Sequence, residues 1–241
     1  MENIDNKTVA EIVNENIRTA DVFKKNGIDF CCGGNVKVQE VCSKKGVDYS
    51  KLKEELLKVG KNQARAFDFN SWELGFLADY ILNTHHKYVR EANDIIIQYS
   101  DKVAKVHGHL YSETIEINKL FHEIANELNM HMHKEEQVLF PFIKEIANAK
   151  KNGTILSPPP FGTIKNPIRM MEMEHTDAGE ILFKIKDLSN NHTPPEGACN
   201  TFKALYAKLE EYQNDLFQHI HLENNILFPK SIALEEELLK Y

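Results

Sequence analysis

Apolar residues recur along most of this chain at alternating intervals of three and four, the spacing that gathers side chains on one face of a helix. The longest seams lie beyond residue 70. One reads Ile117, Leu120, Ile124, Glu127, His131, Glu135, Val138, Phe142. A second reads Ile168, Met171, His175, Ala178, Leu182, Ile185, and a third Phe202, Leu205, Leu209, Tyr212, Leu216, His219, Glu223, Ile226. A further long helix is expected from about Trp72 to Ser100, ahead of one running from about Glu113 to Ala149. The next opens with Asn166 as cap and Pro167 in its first turn. The breakers SPPPFG and HTPPEG cannot continue a helix and separate these elements. No strand-like alternation of useful length is present. The pattern predicts an all-α protein built on a four-helix bundle.

The first sixty residues read as a string of short helices. Thr8 with Glu11 makes a capping box for a helix carrying Val9, Ile12, Val13 and Ile17. Thr19 is expected to cap a second helix ending near Gly27, and Asn35 a third running through Val36, Val38 and Val41 to Gly46. Asp48 or Ser50 opens a fourth that ends at Gly60. The polar stretch from Lys61 to Asn70 reads as a linker. The expected organisation is a small helical domain over residues 1–60, a linker over 61–70 and the bundle over 71–241.

Polar residues interrupt the long seams at matching places. HMHKEEQVLFP begins at His131 and HIHLENNILFP at His219, with six of eleven positions identical. Each phrase sets a histidine four residues before a glutamate, His131 before Glu135 and His219 before Glu223, so an imidazole and a carboxylate share one helix face. His175 lies in the seam of the third long helix. The first offers His85 and His86: Leu77, Ile81, Tyr88 and Ala92 favour His85, whereas Leu82, Val89 and Ile96 favour His86. One of that pair completes four imidazoles and two carboxylates. Six such ligands exceed what one tetrahedral zinc takes and suit two metals bridged by the carboxylates, with positions left for water or an oxo bridge, a donor set that fits iron or manganese. A lone seam histidine is usually a hydrogen-bonded core residue. Two buried, unpaired glutamates would be costly, however, and a metal accounts for carboxylates and histidines together. His133 and His221 lie about 200° around the helix from the ligand histidines and are expected to point away. Glu127 and Glu174 are candidates to accept an imidazole N–H or to line access to the metals.

Composition narrows the classes. A formal net charge of −7 offers no basic excess for nucleic acid. No apolar run is long enough to span a bilayer. The first residues lack the basic start and apolar stretch of a secretory signal, which gives the expectation of a cytoplasmic protein. Four unevenly spaced cysteines, Cys31, Cys32, Cys42 and Cys199, do not form a disulfide framework. Cys42 and Cys199 read as ordinary half-buried thiols. Cys31 and Cys32 precede the expected helix start at Asn35, where a thiol would have a lowered pKa. Gly33 and Gly34 behind them let the backbone approach another surface.

The paired H-x-x-x-E…LFP phrases resemble the hemerythrin-like di-iron bundle. FKKNGIDFCCGG resembles the small cysteine-bearing domain that precedes it in the "repair of iron centres" family of iron–sulfur cluster repair proteins. NTHH, MEHTDAGE and TPPEGAC extend the resemblance over nearly the whole chain. It implies His86, rather than His85, with His131, Glu135, His175, His219 and Glu223 as ligands of two non-haem iron ions bridged by oxo and carboxylate groups. It also implies paired functional thiols at Cys31 and Cys32, and acidic residues near an iron channel at Glu127 and Glu174. The expected role is repair of clusters damaged by nitric oxide or oxidants, often as a homodimer, with damaged iron–sulfur proteins as partners and nitric oxide or oxygen as small ligands. Iron donation ranks first, with the cysteine domain swinging on the linker. Reduction of nitric oxide ranks second, and an oxygen carrier or sensor last.

Overall fold

A computed structural model describes residues 4–61 and 67–239. Among these the fold is all helical; the only strand-like pairing is a single bridge between Thr8 and Lys37. Helices α1 (Val9–Glu15), α2 (Thr19–Lys25), α3 (Val38–Lys45) and α4 (Tyr49–Lys61) form the amino-terminal unit. Four long helices follow: α5 over 74–107, α6 over 113–152, α7 (Lys165–Leu188) and α8 over 200–238. No described helix is long and apolar enough to cross a membrane. Residues 62–66 of the expected linker lie outside the described residues; Phe69–Ser71 form a 3₁₀ turn.

Several helix ends differ from the sequence expectation for local reasons. The Thr8–Glu11 capping box is present with both of its hydrogen bonds. Thr19 does not cap α2; it is buried, and its hydroxyl donates to the Asn16 carbonyl at 2.8 Å. Asn35 does not open α3, which starts three residues later because residues 34 and 36 bond back to α1 through their carbonyls. Asp48 opens α4, accepting from the Ser50 and Lys51 N–H groups. Helix α5 starts at Leu74 rather than Trp72 and continues past Ser100 to His107, while α6 runs on to Asn152 and ends on Gly153 in the left-handed conformation that glycine favours. Helix α7 begins one residue before Asn166, whose side chain instead donates to the Phe161 carbonyl.

Three of the long helices contain a widened, π-type turn: Leu82–His86 in α5, Glu135–Leu139 in α6 and Glu223–Leu227 in α8. Such turns insert one residue and rotate everything after them by about 100°. In α6 and α8 the cause lies in the repeated phrase. Pro141 and Pro229 have no N–H to give the carbonyl four residues earlier, Gln137 and Asn225. The freed Asn225 carbonyl accepts from Asn14 Nδ2 of α1 at 3.0 Å. The rotation exposes Val138, expected in the seam, and buries Leu139 in its place. It also resolves the conflict in α5. Leu77 and Ile81 precede the turn, Val89 and Ile96 follow it, and all four are fully buried.

The core divides into two apolar clusters. One, with Ile96, Phe121, Leu182 and Tyr212, joins one end of the bundle to the amino-terminal unit through Val9, Ile12 and Phe23. The other fills the opposite end with Ile81, Phe142, Ile168 and Phe228. The three π turns and the middle of α7 meet between them, in a layer of buried polar side chains.

The amino-terminal unit docks beside this layer. The Phe30 carbonyl faces His221 Nδ1 at 3.2 Å, and Asn225 Nδ2 donates to the Cys31 carbonyl at 2.9 Å. Phe30 also packs edge-on against Phe217. His221 therefore points away from the polar layer, as expected, but into this contact rather than to solvent.

Candidate metal centre

His86, His131, Glu135, His175, His219 and Glu223 converge in that layer, and all six are almost wholly buried. They form two groups whose donor atoms lie within 4.8 Å of one another: His86, Glu135, His219, Glu223, and His131, Glu135, His175, Glu223. Both carboxylates belong to both groups. Glu135 Oε2 stands 3.3 Å from Nε2 of His86 and of His131, while Glu223 reaches His219 Nε2 at 3.0 Å with one oxygen and His175 Nε2 at 3.2 Å with the other. His85 is excluded from both groups. It is buried, but its Nδ1 pairs with Asp215 at 3.0 Å and its ring stacks on His219.

Neighbours on the far side of three of the four rings set which nitrogen faces inward. His86 Nδ1 meets Glu136 Oε1 at 2.8 Å, and Arg90 anchors the same oxygen at 2.6 Å. His131 Nδ1 meets Glu174 Oε2 at 2.8 Å, with Lys134 on the other oxygen. His175 Nδ1 meets Asn224 Oδ1 at 2.8 Å. An acceptor on Nδ1 keeps the proton there and leaves the Nε2 lone pair for the pocket. The lone pairs of His131 and His175 then confront each other at 3.0 Å, an arrangement that calls for a proton or a cation between them. His86 Nε2, both Glu135 oxygens and one Glu223 oxygen have no aligned hydrogen-bond partner despite complete burial. Buried polar atoms are rarely left so, and these all face one point. The residues fit a metal centre.

The electrostatics agree. Burial alone would lower the His86 and His131 imidazoles. The carboxylates of Glu135 and Glu223 beside His86, and of Glu135 and Glu174 beside His131, outweigh it and carry both up to about 10. Burial and the nearby Glu223 would raise Glu135, but His131 and His86 hold it at about 2. Glu223 is likewise held well below the usual range, its burial outweighed by His219, His175 and His86. His219 is pushed down, chiefly by burial. Without metal, protons on the imidazoles occupy the place of the cations.

The expected access residues separate. Glu174 touches His131 directly. Glu127 is not in the seam: it is exposed, and Leu128 is buried in its stead. Both glutamates line a cavity of about 170 Å³ with Met130, Lys134 and Asp177 that reaches His131 from the surface. Burial and the neighbouring acids raise the Glu127 carboxyl.

Cys31 and Cys32 stand on the docked loop, and Cys32 Sγ lies 3.6 Å from the His175 carbonyl. The expected lowering of a thiol pKa is wrong for Cys31. No helix starts at Asn35, and hydrogen bonding with Cys32, burial and the Asp29 charge push the Cys31 thiol up. Cys42 is buried and Cys199 exposed rather than half-buried. Sequence reasoning missed Glu136 and Asn224, which hold the ligand rings. Each follows a ligand glutamate directly, and only the widened turn brings it round to a neighbouring imidazole.

Residues 77–231 match the hemerythrin HHE cation binding domain, and residues 5–60 match a domain of unknown function, DUF542. The chain belongs to the hemerythrin HHE family. It is 37% identical over 218 residues to the iron-sulfur cluster repair protein YtfE of Escherichia coli O81 (strain ED1a), covering 90% of this chain and 93% of that one. It is 34% identical, with the same coverage, to the protein of that name from Yersinia pestis (strain Pestoides F).

Proposed function

We propose that this protein repairs iron–sulfur clusters damaged by nitrosative or oxidative stress, holding two iron ions in the bundle and giving iron up to the damaged protein. The carrying observation is the pair of adjacent donor groups that share both Glu135 and Glu223. The repair function of the similar proteins, covering nearly the whole chain, supports the reading. His86, His131, Glu135, His175, His219 and Glu223 would hold the irons, the two carboxylates bridging. When bound, iron supplies both the cargo and a redox-active centre. Neutral imidazoles and shared carboxylates bind ferrous iron less tightly than thiolate cages, so the ions can exchange. Glu174 orients His131 and, with Glu127 and Asp177, lines a polar approach to it.

The proposal treats residues 1–60 and 71–241 as two domains, the first covering the pocket wall at His175. It places the protein in the cytoplasm, as a homodimer. The test is transfer of isotopically labelled iron. Protein loaded with it is mixed anaerobically with a cluster protein that has been stripped by nitric oxide, sulfide being supplied. Label and cluster absorbance should appear together in the acceptor, and Glu135→Ala should abolish both. Cluster recovery at the same rate without the protein, or from unlabelled iron, would overturn the proposal.

A further inference from the structure

Asp29 organises the loop that carries the two thiols. Its Oδ1 accepts from the N–H groups of Cys31 at 2.8 Å and Cys32 at 3.2 Å, and its Oδ2 from that of Gly33 at 2.9 Å. The backbone therefore wraps around one carboxylate. The two glycines permit it: a Cβ at Gly33 would stand 3.1 Å from Asp29 Oδ2, and one at Gly34 only 2.5 Å from the Phe30 carbonyl. The expected close approach of this Gly-Gly pair is thus to its own loop and to α1, not to another surface.

The wrapping puts both sulfurs on the side of the carboxylate. Cys31 Sγ lies 3.1 Å from Asp29 Oδ1 and 3.9 Å from Cys32 Sγ, and the three donor atoms fall within 4.8 Å of one another. Metal–thiolate bonds of about 2.3 Å at a tetrahedral angle set two sulfurs about 3.8 Å apart. The spacing found is nearly that one, and it is reached before any metal is added. The loop is also fixed from behind, since the carbonyls of Phe30 and Cys31 are held by His221 and Asn225. Among the described residues Asp29 forms no ion pair, so three groups that are anionic when ionised meet without a cation.

We propose that Asp29, Cys31 and Cys32 form a second cation site, taking one borderline-soft divalent ion, ferrous iron in the cell, against the wall of the bundle pocket. Cys32 Sγ lies against the backbone carbonyl of His175, a residue of the candidate centre. The site deepens the repair reading, on which its assignment to iron rests: it is a thiolate station between the buried irons and an acceptor. Binding displaces the two thiol protons to solvent and changes no oxidation state.

Cobalt(II) is the probe, added anaerobically to full-length protein whose bundle is already loaded with ferrous iron. Thiolate ligation gives an intense near-ultraviolet charge-transfer band that imidazole and carboxylate ligands do not. One equivalent of cobalt should saturate this band. Cys32→Ser, nearly isosteric, should abolish it, and Asp29→Asn, whose one oxygen can still accept from the Cys31 and Cys32 N–H groups but not also from Gly33, should weaken binding at least about tenfold. Circular dichroism confirms that the variants are folded. Absence of the band from the unaltered protein, or its persistence in Cys32→Ser, would overturn the proposal. The band is read whether or not iron is delivered, so loss of delivery with the band intact refutes the repair reading and leaves the site standing.

Discussion

Loading the bundle with metal should release protons, and the number follows from the site. His86 and His131 have pKa values of about 10 in the metal-free protein, so both carry a proton at pH 7. A metal accepts only the neutral ring, so binding must expel about two protons per chain. Each displaced proton makes the apparent affinity climb about tenfold per pH unit as long as the pH stays below the imidazole pKa. The two together predict about a hundredfold per unit near neutrality for occupancy of the whole centre. Glu135 and Glu223 stay ionised throughout that range and add nothing. The assay is zinc titration calorimetry at pH 7 in buffers of different ionisation enthalpy, using a Cys31→Ser/Cys32→Ser protein so that no thiol proton is counted. The slope of heat against buffer enthalpy gives the proton count. A count near zero would mean that the imidazoles are already neutral, and the description of the metal-free pocket as an array of imidazolium and carboxylate would be wrong.

Three further outcomes are expected. Glu136→Gln removes the charge that Arg90 holds against His86, and should weaken metal binding in chelator competition by about 10- to 100-fold while leaving the helical fold intact. Metal-free protein should lose stability as pH rises. Folded-state imidazole pKa values above the usual 6.5 contribute stability that is complete below 6.5 and is lost as pH climbs towards about 10. Urea midpoints at pH 6.5 and 9 should therefore fall for metal-free but not metal-loaded protein, and equal falls would contradict the assignment. Asn225→Ala removes the bond to the Cys31 carbonyl; hydrogen exchange around residues 29–34 should accelerate with little change in the second apolar cluster, where equal acceleration would place the docking energy elsewhere.

Periodicity carries the seams of α7 and α8 because α7 is regular throughout and the α8 turn follows most of its seam. His175, His219 and Glu223 were legible for that reason. The histidine of α5 was not, because the π turn sits on the residues in question. Leu77 and Ile81 report one helical phase, Val89 and Ile96 another, and His86 follows Ile81 by five. Val138 was misassigned by the same inserted residue. Leu-Phe-Pro held the clue, as proline removes the hydrogen bond that would keep the turn regular. The thiol loop failed differently. Asn35 suggests a helix start, whereas the organiser is Asp29, an acid whose partners are the N–H groups and thiol of the next few loop residues and so leave no periodic trace.

In the proposed dinuclear pocket each carboxylate serves both metals. To test this most directly, iron is counted by elemental analysis and Mössbauer spectroscopy in anaerobically isolated Cys31→Ser/Cys32→Ser protein, so that no thiolate-bound iron is included, and in the same protein carrying Glu135→Ala. About two coupled irons per chain are expected, matching the two donor groups, with loss of both signals when the shared carboxylate is removed. A single iron per chain, or one magnetically isolated iron untouched by Glu135→Ala, would contradict it.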